Sequence, residues 1–297
     1  FEGTPQPYDY PSNTIVAEQA RKGGGVVAYV HPIVGMTRDP FDFTVSAKEL
    51  PVTAALGQVD AVDIYPWGPV AAEIWYELLN CGFRIAPGAG TDTFANWRSI
   101  NQLPGNSRIL VRSQKPLSYA EWMTGMRAGR SFVTNGPMLD LTVNGGGPGE
   151  TVRSAAGAPL SLKVSARIES PTAIDKAEIV LNGKVVHTVP VNGGRATQLS
   201  WGLPNAGSGW VALRVAGRSD PRTLGATAQA HSAPVYLEAE GKPMTPNGES
   251  AAMFIRWIDR LSDLVQRRNN FRNDGQRKHV EQIIREARLK YESMARQ

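Results

Sequence analysis

Two residues stand where a metal ion or a proton transfer would want them. His31 follows directly on the apolar run of residues 26–30 and precedes Pro32, and Asp92 closes the glycine-rich stretch Pro87-Gly88-Ala89-Gly90-Thr91-Asp92. A neutral imidazole and a carboxylate are natural ligands for Zn or Mn. Asp92 is also suited to take a proton from a polarised water. Spacing alone leaves plainer roles open: His31 as a structural residue beside its proline, Asp92 as a turn former.

Other chemistries fail on what the chain lacks. The single cysteine, Cys81, rules out an internal disulfide framework and a cysteine zinc cluster; between Asn80 and Gly82 it reads as a small buried hydrophobe. No Gly-x-Ser-x-Gly, His-Glu-x-x-His or Gly-x-x-x-x-Gly-Lys-Ser/Thr occurs, so a nucleophile elbow, a zincin helix and a P-loop are absent. His187 falls in an alternating strand pattern, His231 beside Ser232-Ala233-Pro234, and His279 on a basic helical face. All three read as structural or solvated.

The elements that must carry His31 and Asp92 alternate. Ser12-Asn13 can cap a helix through Lys22, three glycines at 23–25 end it, and residues 26–30 form a buried strand. A helix over 47–56, a strand over 61–65, a helix over 70–80 closed by Gly82 and a strand over 83–86 follow. A strand over 108–112 and a Ser118-capped helix to Ala128 complete the run. Strand–helix alternation predicts a parallel α/β sheet or barrel, with ligating side chains at the carboxyl ends of the strands. Three such units are too few to close a barrel, so residues 1–137 are expected to be the C-terminal portion of one.

Residues 138–244 change period. Short strands over 139–143, 160–168, 177–181, 184–189, 198–201, 210–216 and 233–237, with an Asn182-Gly183 hairpin turn and further turns at Asn144-Gly145 and Asn192-Gly193, predict a β-sandwich. Trp201 and Trp210 are expected in its core. After Pro246-Asn247-Gly248, residues 245–297 carry two helical stripes, Phe254, Trp257, Ile258 and Leu261, then Val280, Ile284, Ala287 and Tyr291, which predict an amphipathic helical hairpin.

At this point the chain resembles a known family. Tyr29-Val30-His31-Pro32 and Gly90-Thr91-Asp92, with His31 and Asp92 61 residues apart, are similar to the later metal motifs of the PHP (polymerase and histidinol phosphatase) superfamily. The runs WYELLNCGFR (residues 75–84) and GRSFVTNGP (residues 129–137), with Pro116-Leu117-Ser118-Tyr119 and Thr142-Val143-Asn144-Gly145, resemble the CehA/McbA-type, carbaryl-hydrolase-like metallohydrolases of that superfamily. The resemblance spans nearly the whole chain. It implies a PHP-type β/α barrel, a following β-sandwich, and a divalent metal, Zn or Mn, held by His31 and Asp92. Two departures stand out: Phe94 occupies the place of a usual ligand histidine, and the family's first His-x-His motif has no counterpart here and is expected upstream. Two ligands predict weak metal binding and poor catalysis by these 297 residues alone.

Composition sets the outer bounds. With 41% hydrophobic and 20% charged residues the chain can build a packed core, and no apolar run approaches the roughly 18 residues that span a bilayer. The formal net charge of +5 resides in residues 256–297, which hold 11 Lys/Arg against 6 Asp/Glu. This is a solvated helix face rather than a nucleic-acid surface, since no aromatics interleave it. The expected function is a metal-dependent hydrolase acting on an ester, carbamate, amide or phosphoester of a small molecule. Asp92 serves as catalytic acceptor, and Tyr65, Trp67, Asn96 and Trp97 form the pocket walls. Arg38 and Arg98 are the loop cations a phosphoesterase would use. The alternative is a non-catalytic binding or scaffold protein, with a vestigial barrel and a sandwich that recognises carbohydrate or a partner. An upstream segment or a second copy is the expected protein partner. Localisation stays open, since the lack of disulfides suits the cytoplasm and a removed signal peptide would suit the periplasm.

Overall fold

A computed structural model describes residues 9–33, 47–66, 69–93, 103–113, 116 and 118–297 of the chain. Helix α1 (Asn13–Lys22) leads to β1 (Ala28–Tyr29), α2 (Leu50–Ala55), β2 (Ala61–Tyr65), α3 (Pro69–Asn80) and β3 (Ala86–Ala89). The three strands pair in parallel in the order β1-β2-β3, with Tyr29 opposite Val62 and Asp63 opposite Gly88. Every residue of β2 is buried, as a central parallel strand requires. The third strand begins three residues later than the apolar pattern suggests. Phe83 instead lays its ring edge-on against Tyr291 at 5.7 Å, and Ile85 O accepts from Trp75 Nε1 at 2.9 Å.

The next elements depart from the expected alternation. Strand β4 (Arg108–Val111) and β5 (Ser131–Thr134), joined through α4 (Tyr119–Arg127), pair antiparallel with each other, and β5 pairs with a later strand rather than with β3. Gly129, at φ +70°, and the Arg130 N–H donated to Gly125 O at 2.9 Å turn the chain back directly behind α4. The strand that follows can only run back alongside β4.

Strands β6 (Met138–Val143), β7 (Thr151–Arg153), β8 (Leu160–Leu181), β9 (Lys184–Ala206), β10 (Gly209–Ser219), β11 (Thr227–Ser232) and β12 (Val235–Glu238) join β4 and β5 in one nine-stranded sheet. Four of the expected short strands are two long ones, of 22 and 23 residues. Register shifts between Glu169 and Lys176 bend the β8–β9 hairpin without breaking it. The first half of β8 therefore pairs with β6 and the second with β10. Leu141, Val164, Ile179 and Leu213 from both halves meet in one core. In place of two separately bonded sheets, a single bent sheet folds over that core. The Asn182-Gly183 turn forms as expected, both residues at positive φ. Trp201 is only half-buried and stacks on His187.

Helices α5 (Gly248–Arg268) and α6 (Asp274–Ala295) form the C-terminal pair. Asn247 and Asn273 cap them, accepting from Ser250 N at 2.9 Å and Gln276 N at 3.0 Å. Their apolar stripes cover the outer side of α2: Trp257 Nε1 donates to Lys48 O and Tyr291 OH to Pro51 O, both at 3.0 Å. The basic face is paired with acids, for example Arg288 with Asp259 at 2.6 Å and Arg277 with Glu281 at 3.0 Å. Among the described residues no helix is long and apolar enough to cross a membrane.

The parallel unit and the bent sheet meet through aromatic side chains. Trp210, fully buried, belongs to this seam rather than to the sheet's own core, with its ring 5.2 Å from Tyr76 and its Nε1 donating to Asn80 Oδ1 at 2.9 Å. His231 sits beside it, 1% exposed. Its Nδ1 lies 2.8 Å from Ser232 O, which can only accept, so Nε2 is the acceptor for Tyr76 OH at 2.5 Å. Burial pushes the imidazole from 6.5 down to about 4, and the charge of Arg214 adds to the shift. Folded His231 thus refuses a proton that the unfolded chain accepts, and its contribution to stability is lost as pH falls from about 6.5 to about 4. Tyr76→Phe leaves Nε2 buried without a donor and should cost about 1–3 kcal/mol, read from denaturant midpoints at neutral pH. An unchanged midpoint would show that the hydroxyl contributes nothing to the seam.

Candidate functional site

His31 and Asp92 lie just beyond the carboxyl ends of β1 and β3, the two strands that flank β2. The structure brings them together: His31 Nε2 and Asp92 Oδ2 stand 4.0 Å apart. Each side chain is about two-fifths exposed (40% and 41%), so a solute can reach both. Both backbones are left-handed, at φ +43° and +51°. Few non-glycine residues adopt this conformation, though histidine and aspartate are among those that do.

The pair fits two positions of a metal site. Bonds near 2.0–2.2 Å in a tetrahedral site separate two ligand atoms by roughly 3.4 Å, so the observed distance needs to close by about half an ångström. Among the described residues no group of three or more His, Cys, Asp or Glu side chains is placed to hold an ion.

The central strand between them carries a residue that the sequence reading passed over. Asp63 on β2 is 4% exposed. Burial pushes its carboxyl from 3.8 up to about 7. The carboxylate rests on a floor of glycine. A Cβ at Gly88 would collide with its Oδ1, and one at Gly90 would come within 2.9 Å of its Oδ2. Asp60, three residues earlier and equally buried, shows what a satisfied carboxylate looks like here. It pairs with Arg21 at 2.5 Å and accepts from Val27 N at 2.8 Å. Glycine at 88 and 90 lets the carboxylate pack directly against the backbone of β3, on the strand between the two that lead to His31 and Asp92. The signal was present in Ala61-Val62-Asp63-Ile64-Tyr65: one charge inside an otherwise apolar strand.

Tyr65, expected as a pocket wall, is instead a core residue. Ile64 is an extra residue in the β2–β3 register, which shifts between Asp63 and Tyr65. Tyr65 is packed with Ile64 and Tyr76 in the core that α3 shares, close enough to feel the charges of Tyr76 and Arg214. Trp67, Asn96 and Trp97, together with Arg38, Phe94 and Arg98, lie outside the described residues.

Comparison with protein-family models gives no matching model, and comparison with curated proteins gives no matching relative. The functional reading therefore rests on the residues and their geometry.

Asp63 also makes a prediction independent of any activity. Its folded-state pKa is raised, so the fold binds a proton that the unfolded chain releases, and stability falls as pH rises from about 4 to about 7. Asp63→Asn should raise stability by on the order of 2 kcal/mol in mildly alkaline buffer and change it little in acid. Melting curves across that range check this, and a variant equally shifted at both ends would show that the carboxylate's charge is not the cost.

Proposed function

We propose that this chain is a metal-dependent hydrolase of the CehA/McbA type within the PHP superfamily, its β1-β2-β3 sheet corresponding to the C-terminal portion of a PHP-type barrel. The observation that carries the reading is the His31–Asp92 pair, 4.0 Å apart at the carboxyl ends of parallel strands, with the buried Asp63 on the strand between. His31 Nε2 and Asp92 Oδ2 would hold a Zn or Mn ion. When bound, such an ion supplies a water acidified toward a pKa of about 7, the nucleophile for an ester, carbamate, amide or phosphoester.

The chain's own residues do the rest. Asp92, with two carboxylate oxygens, can ligate through one and accept a proton at the other. Once ionised, Asp63 on the strand between would favour a cation over an anion there. The seam of Tyr76, Trp210 and His231 holds α3 and hence the carboxyl end of β2 rigid. The competing reading, a non-catalytic binding or scaffold protein, is favoured by the shortage of a third ligand among the described residues.

Elemental analysis after Zn or Mn loading, with turnover of p-nitrophenyl acetate and p-nitrophenyl phosphate, separates the two. The hydrolase reading expects weakly bound metal and slow turnover, and a further loss of metal affinity of at least about 10–100-fold in His31→Ala and in Asp92→Ala, with turnover falling in parallel. Metal loading and turnover that survive both substitutions would place the chemistry elsewhere. No metal and no turnover in the parent chain would favour the binding protein.

A further inference from the structure

We propose that Asn192 is a self-modifying site, where the folded chain converts an asparagine to aspartate and isoaspartate with water as the only co-reactant. The proposal is separate from the hydrolase reading and does not depend on it. The backbone nitrogen of Gly193 attacks Asn192 Cγ. As the N–Cγ bond closes a succinimide ring, the Cγ–Nδ2 bond breaks, and Nδ2 leaves as ammonia with the proton of the Gly193 N–H. Water then opens the ring without any change of oxidation state. Attack at Cγ gives aspartate; attack at the main-chain carbonyl gives isoaspartate, with the chain running through Cβ and Cγ. Glycine is the residue best suited to follow, since it has no Cβ to hinder the approach.

Five asparagines precede glycine in this chain: Asn135, Asn144, Asn182, Asn192 and Asn247. The dipeptide is the same in all five, so the fold decides which one reacts. Asn135 is buried; its Oδ1 accepts from Gln229 N and its Nδ2 donates to Thr227 O, both at 2.8 Å. Asn144 is held the same way, by Lys163 N at 2.6 Å and Ser161 O at 2.8 Å. Asn182 Oδ1 accepts from Trp210 N at 2.8 Å, and Asn247 Oδ1 caps α5 through Ser250 N at 2.9 Å. Asn192 is exposed, and alone among the five its side-chain amide makes no hydrogen bond. Backbone shape does not separate it from its neighbours in kind. Asn144, Asn182 and Asn192 stand at φ +49°, +49° and +55°, and their glycines at +86°, +85° and +86°, the pattern of one tight turn. What differs is the freedom of Cγ to swing toward the glycine nitrogen. The turn lies in the register shift of β9, between Pro190 opposite Lys176 and Gly194 opposite Ile174. Positive charge stands beside it: a Cβ on Gly193 would lie 3.4 Å from Arg218 Nη2. Asp-Gly supports the same turn as Asn-Gly, so the aspartate form keeps the bend and gains a carboxylate near that guanidinium.

Incubating the whole folded chain in mildly alkaline heavy-oxygen water, then mapping its peptides by mass spectrometry, tests the site. Asn192 is expected to convert at least about five-fold faster than each of the other four, the handicap that one retained hydrogen bond of ordinary strength imposes on them. In denaturant, where those bonds are gone, its lead should vanish. Asn192→Gly keeps a turn that Gly-Gly also forms and removes the reactive amide. It should lower ammonia release from the folded chain by a similar factor. Asn192→Asp should melt with the parent chain, and a lower melting temperature would overturn the claim that the aspartate form keeps the bend. A hydrogen-bonded asparagine that converts as fast as Asn192, the same order of rates folded and unfolded, or undiminished ammonia release from Asn192→Gly would each overturn the site.

Discussion

A three-stranded parallel sheet cannot stand in water by itself, and the rest of this molecule follows from that constraint. Parallel strands are buried on both faces because their crossover connections lie across them. Here the strands are only two to five residues long, so backbone pairing alone contributes little. The stabilisation comes from what is packed on top. On one side Trp75, Phe254, Trp257 and Tyr291, all fully buried, bind α3 and the C-terminal helices into one cluster with Val62 and Ile64. On the other, Ala61 and Ala86 are small enough to let Met126 of α4 approach. The C-terminal helices are therefore not an appendage. Removing them would uncover α2, whose six residues are all buried, and with it the support of the strand that leads to His31.

The same constraint explains why the bent sheet is attached where it is. The seam is built from groups that need one another: Trp210 has its indole N–H satisfied by Asn80 at the end of α3, and His231 has its acceptor nitrogen satisfied by Tyr76. Neither unit could bury these side chains alone without leaving a polar atom unpaired. The seam thus fixes α3, and the chain that enters α3 is the one that leaves β2 beside Asp63. The bent sheet braces the candidate site from a distance through this helix.

Local chemistry was legible in the sequence wherever a residue type has one dominant use. Ser118 caps α4, accepting from Glu121 N at 3.1 Å. Asn182-Gly183 turns the hairpin, and the helical stripes from Phe254 to Leu261 and from Val280 to Tyr291 all face inward. The positions of His31 and Asp92 at strand ends were legible too, because apolar runs followed by proline or glycine mark where parallel strands stop. Partnering was not legible. Nothing in residues 108–112 distinguishes a parallel neighbour of β3 from an antiparallel neighbour of β5; the difference is made by the turn behind α4. Nor does the sequence say that β8 continues through a bulge, since the polar residues near 170 read as a loop and are in fact the outer side of a bend. Trp201 and Trp210 have the same local pattern, yet one stacks on a half-exposed face and the other fills a seam. Tertiary context decides between them.

Asp60 and Asp63 carry the argument about the site one step further. Both are carboxylates on or beside the same strand, both 4% exposed, and a folding chain gains nothing by burying either unless something offsets the lost hydration. For Asp60 the offset is plain: the Arg21 guanidinium and a backbone N–H meet it, and Arg127 approaches to 3.6 Å. It ties α1 and α4 to the amino end of β2. For Asp63 no comparable partner occurs among the described residues, and glycine at 88 and 90 lets the backbone of β3 lie directly against its oxygens. That asymmetry along one short strand, ion-paired at its amino end and shifted by burial alone toward its carboxyl end, is what the proposed site at His31 and Asp92 draws on.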